Sequence, residues 1–184
     1  MKMHIFTVYV EDLPGVLNRV ASLFRRRNFN IISLAVGHSE TPGVSRMTIV
    51  VQTDAGGAQR IAAHLYKLIN VLRVEDITDR PAVVRDLALI KVSADREHRP
   101  PLMQLAEVFG ARVVDVAPES IVIEMAGSEA KIDGLLEVLR PYGVLELVRT
   151  GRVAMSRGVG SGSPAAGHGP AVIPDTQTGV SYSV

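Results

Sequence analysis

The chain has 184 residues, 47% hydrophobic and 21% charged, which is enough apolar material for one or two packed domains and too little bias for a wholly disordered polypeptide. Twenty Lys plus Arg nearly cancel 19 Asp plus Glu, and a formal charge of +1 argues against a surface built to hold polyanions such as DNA. With no cysteine there is no disulfide framework, thiolate nucleophile or zinc–thiolate site, and any chemistry rests on carboxylates, hydroxyls and five scattered histidines. Apolar runs break after a few residues and the N-terminus leads straight into a strand pattern, so we expect a cytoplasmic chain with neither signal peptide nor membrane span.

In chain order, His4 to Val10 has strand composition and a Pro-Gly turn follows. Val16, Leu17, Val20, Leu23 and Phe24 then mark one face of a helix. Two β-rich runs, Asn30 to His38 and Val44 to Thr53, flank the turn Glu40-Thr41-Pro42-Gly43 and predict a hairpin. A second helix sets Ile61, Leu65, Leu68 and Ile69 on its apolar side, and Val71 to Ile77 closes a βαββαβ unit. The order then repeats: strand Asp86 to Ser93, a helix with Leu102, Leu105, Ala106 and Phe109, strands Arg112 to Ala117 and Ser120 to Ala126, helix Lys131 to Arg140, and strand Val144 to Arg149.

Right-handed crossovers leave few topologies for this order, and the simplest is an antiparallel four-stranded sheet with both helices on one face. The fold class is therefore α+β, two tandem ferredoxin-like βαββαβ domains. The boundaries fall at 1–78, a linker at 79–85 around Pro81, 86–157, and a Gly/Pro/Ser-rich tail at 158–184, too poor in periodic apolar residues to offset its ordering entropy. Units of this size leave one sheet face and two strand edges uncovered, so we expect a homodimer.

The sharpest local feature is Glu11-Asp12-Leu13-Pro14-Gly15-Val16-Leu17, where strand turns into helix. Two readings stand. Asp12 or Leu13 precedes the helix and Pro14 suits its first turn, which is ordinary capping chemistry. Alternatively, unpaired amides at a helix start hold a carboxylate, Gly15 lets the ligand come close, and Asp12 accepts its ammonium, which together match an amino acid. Elsewhere, Arg25-Arg26-Arg27 reads as a solvated helix end and His4, His38 and His64 as surface or packing residues. Asp95, Glu97 and His98 lack a fourth ligand of metal-site spacing.

The stretch from Val8 to Val51, with EDLPGVLNRVASLFRRRNFNIISLAVG and SRMTIVV, resembles the ACT domain of the small, regulatory subunit of acetolactate synthase (acetohydroxyacid synthase). HLYKLINVLRVEDIT, His64 to Thr78, is similar to that domain's closing helix and strand, and RTGRVAMSRG, Arg149 to Gly158, to the family's C-terminal signature. The resemblance implies an effector-binding, dimerising ACT domain followed by an ACT-like domain, in a protein without catalytic residues. Such a protein binds and activates the large catalytic subunit, which carries thiamine diphosphate, magnesium and FAD, and confers feedback inhibition by valine or a related branched-chain amino acid.

In the family the effector lies between paired ACT domains, which maps here to Asp12, Gly15 and Val16 of one chain and Asn30 and Ile31 of the other. Two positions depart from the common pattern: a carboxylate at Asp12, where the family has Asn or Asp, and Ile32 where many relatives carry an acid. Other classes also compete. An RNA-recognition module shares the βαββαβ order but stacks bases on aromatic residues, and Met47-Thr48-Ile49-Val50-Val51 offers none. A stand-alone enzyme would need a nucleophile–base pair or cofactor loop that the sequence does not display. A stand-alone ACT-type sensor acting on another enzyme is the remaining alternative.

Overall fold

Strand β1 (Lys2–Glu11) alternates so that Phe6, Val8 and Val10 lie on one side, each buried, and this side carries the helices of the first unit. The computed structural model describes residues 1–158. Helix α1 (Val16–Arg26) buries Val16, Val20, Leu23 and Phe24, and ends where Asn28 adopts φ 56° and the Phe29 amide donates to the Phe24 carbonyl at 3.0 Å. Strands β2 (Ile31–His38) and β3 (Val44–Thr53), helix α2 (Ala55–Leu65) and strand β4 (Val71–Asp76) complete the unit, with strand order β2-β3-β1-β4 and antiparallel neighbours throughout. Asp54 starts α2 by accepting from the Gly57 amide at 2.5 Å. That helix ends at Leu65, so Leu68 packs on the core from the following turn and Ile69 is 92% exposed, not on a buried helical face as the periodicity predicts.

The second unit repeats the plan with β5 (Ala82–Ser93), α3 (Arg99–Phe109), β6 (Arg112–Val116), β7 (Ser120–Gly127), α4 (Glu129–Leu139) and β8 (Val144–Arg149), in the order β6-β7-β5-β8. The repeat extends to its irregularities. Pairing of β2 with β3 skips Ile32, and pairing of β6 with β7 skips Val114. Likewise β4 skips Leu72 opposite β1 and β8 skips Leu145 opposite β5. Each unit has its own apolar core, one around Phe6, Phe24, Ile49 and Ile61, the other around Ile90, Leu102, Ile123 and Leu135. Burying each such side chain contributes about 1.5–3 kcal/mol.

Strand β5 begins at Ala82, inside the span read as a linker, because residues 82–85 pair with a strand the sequence pattern did not reveal, β9 (Val153–Ser156). Four residues are too few to display a period. This β5–β9 ribbon lies on the helix-free face of the first sheet: Arg46 donates to the Ala154 carbonyl, and Thr48 and Val50 on that face are 2% and 0% exposed. That face is thus covered by the chain itself, not by a second copy. The corresponding face of the second sheet remains open, with Leu89 and Val148 at 36% and 53% exposure. Among the described residues no helix is long and apolar enough to cross a membrane. The segment read as a flexible tail lies, from residue 159 on, outside the described residues.

Candidate functional site

The turn between β1 and α1 is set by Gly15, the residue before the helix, at φ 83° and ψ −6°. An L side chain is strained in this left-handed conformation, and the position a Cβ would take opens onto free space, with nothing within 4 Å. Pro14 therefore lies in the turn and not in the first helical turn as expected. No side chain caps α1. Arg19 is the first residue whose amide reaches back along the helix, to the Gly15 carbonyl at 3.0 Å, which leaves the Leu17 and Asn18 amides without a partner among the described residues. Val16 is 4% exposed and its own amide donates to Leu13 at 3.3 Å, so its side chain belongs to the core. Leu13 and Leu17, at the two ends of this turn, are 55% and 44% exposed.

Asp12 does not cap the helix. Its amide donates to the Gly43 carbonyl at 2.9 Å, its Oδ1 accepts from Ser45 Oγ at 3.1 Å, and its Oδ2 lies 3.3 Å from His38 Nδ1. The β2–β3 hairpin thus holds the acid off the helix, so one turn carries both a carboxylate, which can meet a cation, and open helix amides, which can meet an anion. Behind it, Asn70 ties three elements together. It donates to Glu11 Oε2 at 2.6 Å, accepts from Arg19, and its carbonyl accepts from the Glu11 amide at 2.9 Å. Sequence reasoning missed Ser45, Asn70 and Arg19 as parts of this site, gave Glu11 only as the first residue of the turn motif, and read His38 as a surface or packing residue. The antiparallel register, Glu11 opposite Val44, is the signal that brings the hairpin to Asp12.

The second unit lacks an equivalent. Pro100 and Pro101 remove donors from the first turn of α3, and the amides beside them are used, Arg99 to Asp95 at 3.2 Å and Leu102 to His98 at 3.1 Å. Asp95 Oδ1 is occupied in turn by the Glu97 and His98 amides at 3.0 and 2.8 Å, which accounts for this acidic loop as a turn. His4, read as a surface or packing residue, is 6% exposed and meets Asp76 at 3.0 Å.

Asn30 and Ile31 lie at the other end of the same sheet. Ile31 stands opposite Val51 while Glu11 stands opposite Val44, seven residues away, or about 23 Å along the strands. One chain therefore does not bring Asn30 to its own Asp12. Asn30 is exposed, Ile31 packs partly on the first core, and Ile32 and Val36, each 46% exposed, lie on β2, whose outer edge has no strand partner among the described residues.

Comparison with known proteins agrees with this architecture. A family model of the AHAS small subunit-like ACT domain matches residues 6–73, and one of the small subunit of acetolactate synthase matches residues 85–158. The chain is 47% identical over 156 residues to the probable acetolactate synthase small subunit of Methanothermobacter thermautotrophicus, covering 84% of this chain and 93% of that one. It is 48% identical over 157 residues to the acetolactate synthase small subunit of Mycobacterium bovis, covering 85% and 94%. The crystal structure of the acetolactate synthase small subunit from Thermotoga maritima superposes with a TM-score of 0.81 at 39% identity, over 86% of this chain and 99% of that one. The chain belongs to the acetolactate synthase small-subunit family.

Proposed function

We propose that this chain is a non-catalytic regulatory subunit that binds a branched-chain amino acid such as valine at the start of α1 and passes its presence to the catalytic subunit. The observation that carries this reading is the pairing of open helix amides behind Gly15 with an acid, Asp12, held off the helix by Ser45. A zwitterion answers both, and Leu13 and Leu17 suit an aliphatic side chain.

The site is half built in one chain, and its completion follows from strand direction. Joining the free edges of two β2 strands antiparallel, about a two-fold axis, sets the start of one copy's β2 beside the end of the other's. His38 is at that end and Asp12 beside it, so Asn30 and Ile31 of one copy close the site of the other. Ile32 and Val36 supply apolar surface along the seam. The effector site is thus complete only in the dimer.

The catalytic subunit, with its thiamine diphosphate, magnesium and FAD, we assign to the open face of the second sheet, where Leu89, Val122 and Val148 surround the Lys91–Glu146 ion pair. Within the Arg149 to Gly158 segment, residues 153–156 are engaged in the chain itself as β9.

Calorimetric titration of the purified protein with valine, repeated with Asn30→Ala, tests the reading, together with an activity assay on the large subunit. We expect saturable binding, its loss in the variant, and activation of the large subunit that valine reverses. No valine binding by the wild-type protein, or binding indifferent to Asn30, overturns it.

A further inference from the structure

A continuous line of contacts runs from the start of β2 into the second unit. Asn30 and Ile31 lead in, Ile32 is bulged out of the pairing, and the next two residues meet the crossover between β8 and β9. The Ser33 hydroxyl accepts from the Arg152 amide at 2.6 Å. A Cβ on Gly151 would fall on the Leu34 carbonyl, its carbon only 2.6 Å away, so the two backbones touch and only glycine fits.

Beyond the crossover the contacts become ionic. Arg152, with its side chain 15% exposed, places Nε 3.6 Å from Asp86 Oδ1 and pairs with Glu129, the first residue of α4. Arg149, on the other flank, donates to Asp86 Oδ2 at 2.8 Å and to Asp133 of α4 at 2.9 Å. The Asp86 side chain is 7% exposed. A shift of β2 at Ser33 cannot be absorbed at the crossover, because a backbone contact and a hydrogen bond both oppose it. It must move Arg149 and Arg152 against α4 or break the contact.

We propose that Ser33, Gly151 and Arg152 are positioning residues that carry occupancy of the effector seam at Asn30–Ile31 into the second unit, through Asp86 to helix α4. The inference rests on the reading of Asn30 and Ile31 as effector contacts. The bulge at Ile32 provides the place where β2 bends when the seam closes, and the crossover makes the bend felt in the second unit.

The test uses the full chain, free and reconstituted with the large subunit. Ser33→Ala removes the acceptor, Ser33→Thr keeps it, and Gly151→Ala adds the methyl that does not fit. For Ser33→Ala we expect valine affinity by calorimetry within about twofold of wild type, while the valine concentration for half inhibition rises about tenfold or more. Activation without valine stays unchanged, and Ser33→Thr restores inhibition. Amide exchange at 150–156 should slow on adding valine to the wild type and not to Ser33→Ala. Wild-type inhibition in both Ser33→Ala and Gly151→Ala overturns the relay, and so does a parallel loss of binding and inhibition in Ser33→Ala, which would make Ser33 part of the binding site. A wild-type protein that binds no valine fails at the earlier reading, and is distinguished from these outcomes by the calorimetry alone.

Discussion

The Asp12 carboxylate accepts from the Ser45 hydroxyl at 3.1 Å and so turns toward the hairpin, away from the helix it precedes in sequence. Both readings of the turn placed an acid near a helix start, but they differ in where its oxygens aim. A cap would spend them on the second or third helical amide. Here those amides stay open, and the acid stands beside them as a separate group.

Replacing Asp12 with Ala therefore separates stability from binding. Loss of a cap costs about 0.5–2 kcal/mol, whereas loss of a half-exposed acid that caps nothing shifts stability by within about 0.5 kcal/mol. Losing a charge-assisted hydrogen bond to the ligand costs about 1.5–3 kcal/mol, roughly ten- to a hundredfold in valine affinity. Urea unfolding and calorimetry should show the second effect without the first. The reverse pattern would return Asp12 to a capping role.

Gly15 admits a comparison of charge with strain. Any L residue at φ 83° costs about 1–2 kcal/mol, and the free space in front of it accepts a methyl or a carboxymethyl group. Gly15→Ala and Gly15→Asp should melt at similar, slightly lowered temperatures. Only Gly15→Asp puts an anion on the open amides, so it alone should abolish valine inhibition while activation of the large subunit persists. Equal loss in both variants would mean that backbone strain, not charge, empties the site.

The element order was legible because each helix and each long strand has a period the hydrophobic pattern displays, and strand order follows once crossovers are right-handed. What escaped was local or distant. Strand β9 is four residues long, and its partner, residues 82–85, follows Pro81, which reads as a break. Leu68 and Ile69 continued a helical pattern that the chain abandons at Leu65. His38 and Ser45 reach Asp12 only through sheet register, and Asn70 reaches Glu11 across 59 residues, so no spacing in the sequence announces them. The helix-start chemistry of Gly15 was readable because it depends on neighbours in the chain.

Asp76 gives the fold an acid-sensitive contact. Burial, the largest influence, pushes its carboxyl up, but the Thr78 hydroxyl and amide and the His4 ring together outweigh it and hold the group below its ordinary value of 3.8. A folded-state value below the unfolded one means the stabilisation is present above the ordinary value and lost as pH falls through the folded one. Wild-type stability should drop more steeply than that of Asp76→Asn between about pH 4 and pH 2. Urea midpoints across that range check it, and equal slopes would remove Asp76 from the account.

The Asp86 cluster should be the most sensitive ionic site. Its carboxylate is buried between Arg149 and Arg152, whose side chains are 25% and 15% exposed. Asp86→Ala leaves two partly buried guanidinium groups with only exposed acids, Asp133 and Glu129, as partners, and removing one partner of a buried pair costs about 3 kcal/mol. Removing an exposed acid such as Asp133 should cost within about 0.5 kcal/mol. Thermal melts of the two variants test the contrast, and similar values would show the cluster to be screened by water.

Because Asp12 and Asn30 lie about 23 Å apart along the strands of one chain, the dimer proposed above has each chain lend its helix start to one seam and its β2 start to the other. Gly15→Asp chains alone form no intact seam, and neither do Asn30→Ala chains. In a mixed dimer, however, both lesions fall on the same seam, and the other seam has its native Gly15 from one chain and its native Asn30 from the other. Co-refolding equal amounts of the two variants should restore valine binding to about a quarter of all sites, since half the dimers are mixed and each carries one good seam of two. Calorimetry gives that fraction directly from the stoichiometry. A site contained within one chain predicts no recovery at all, because each chain then keeps its own lesion whatever its partner.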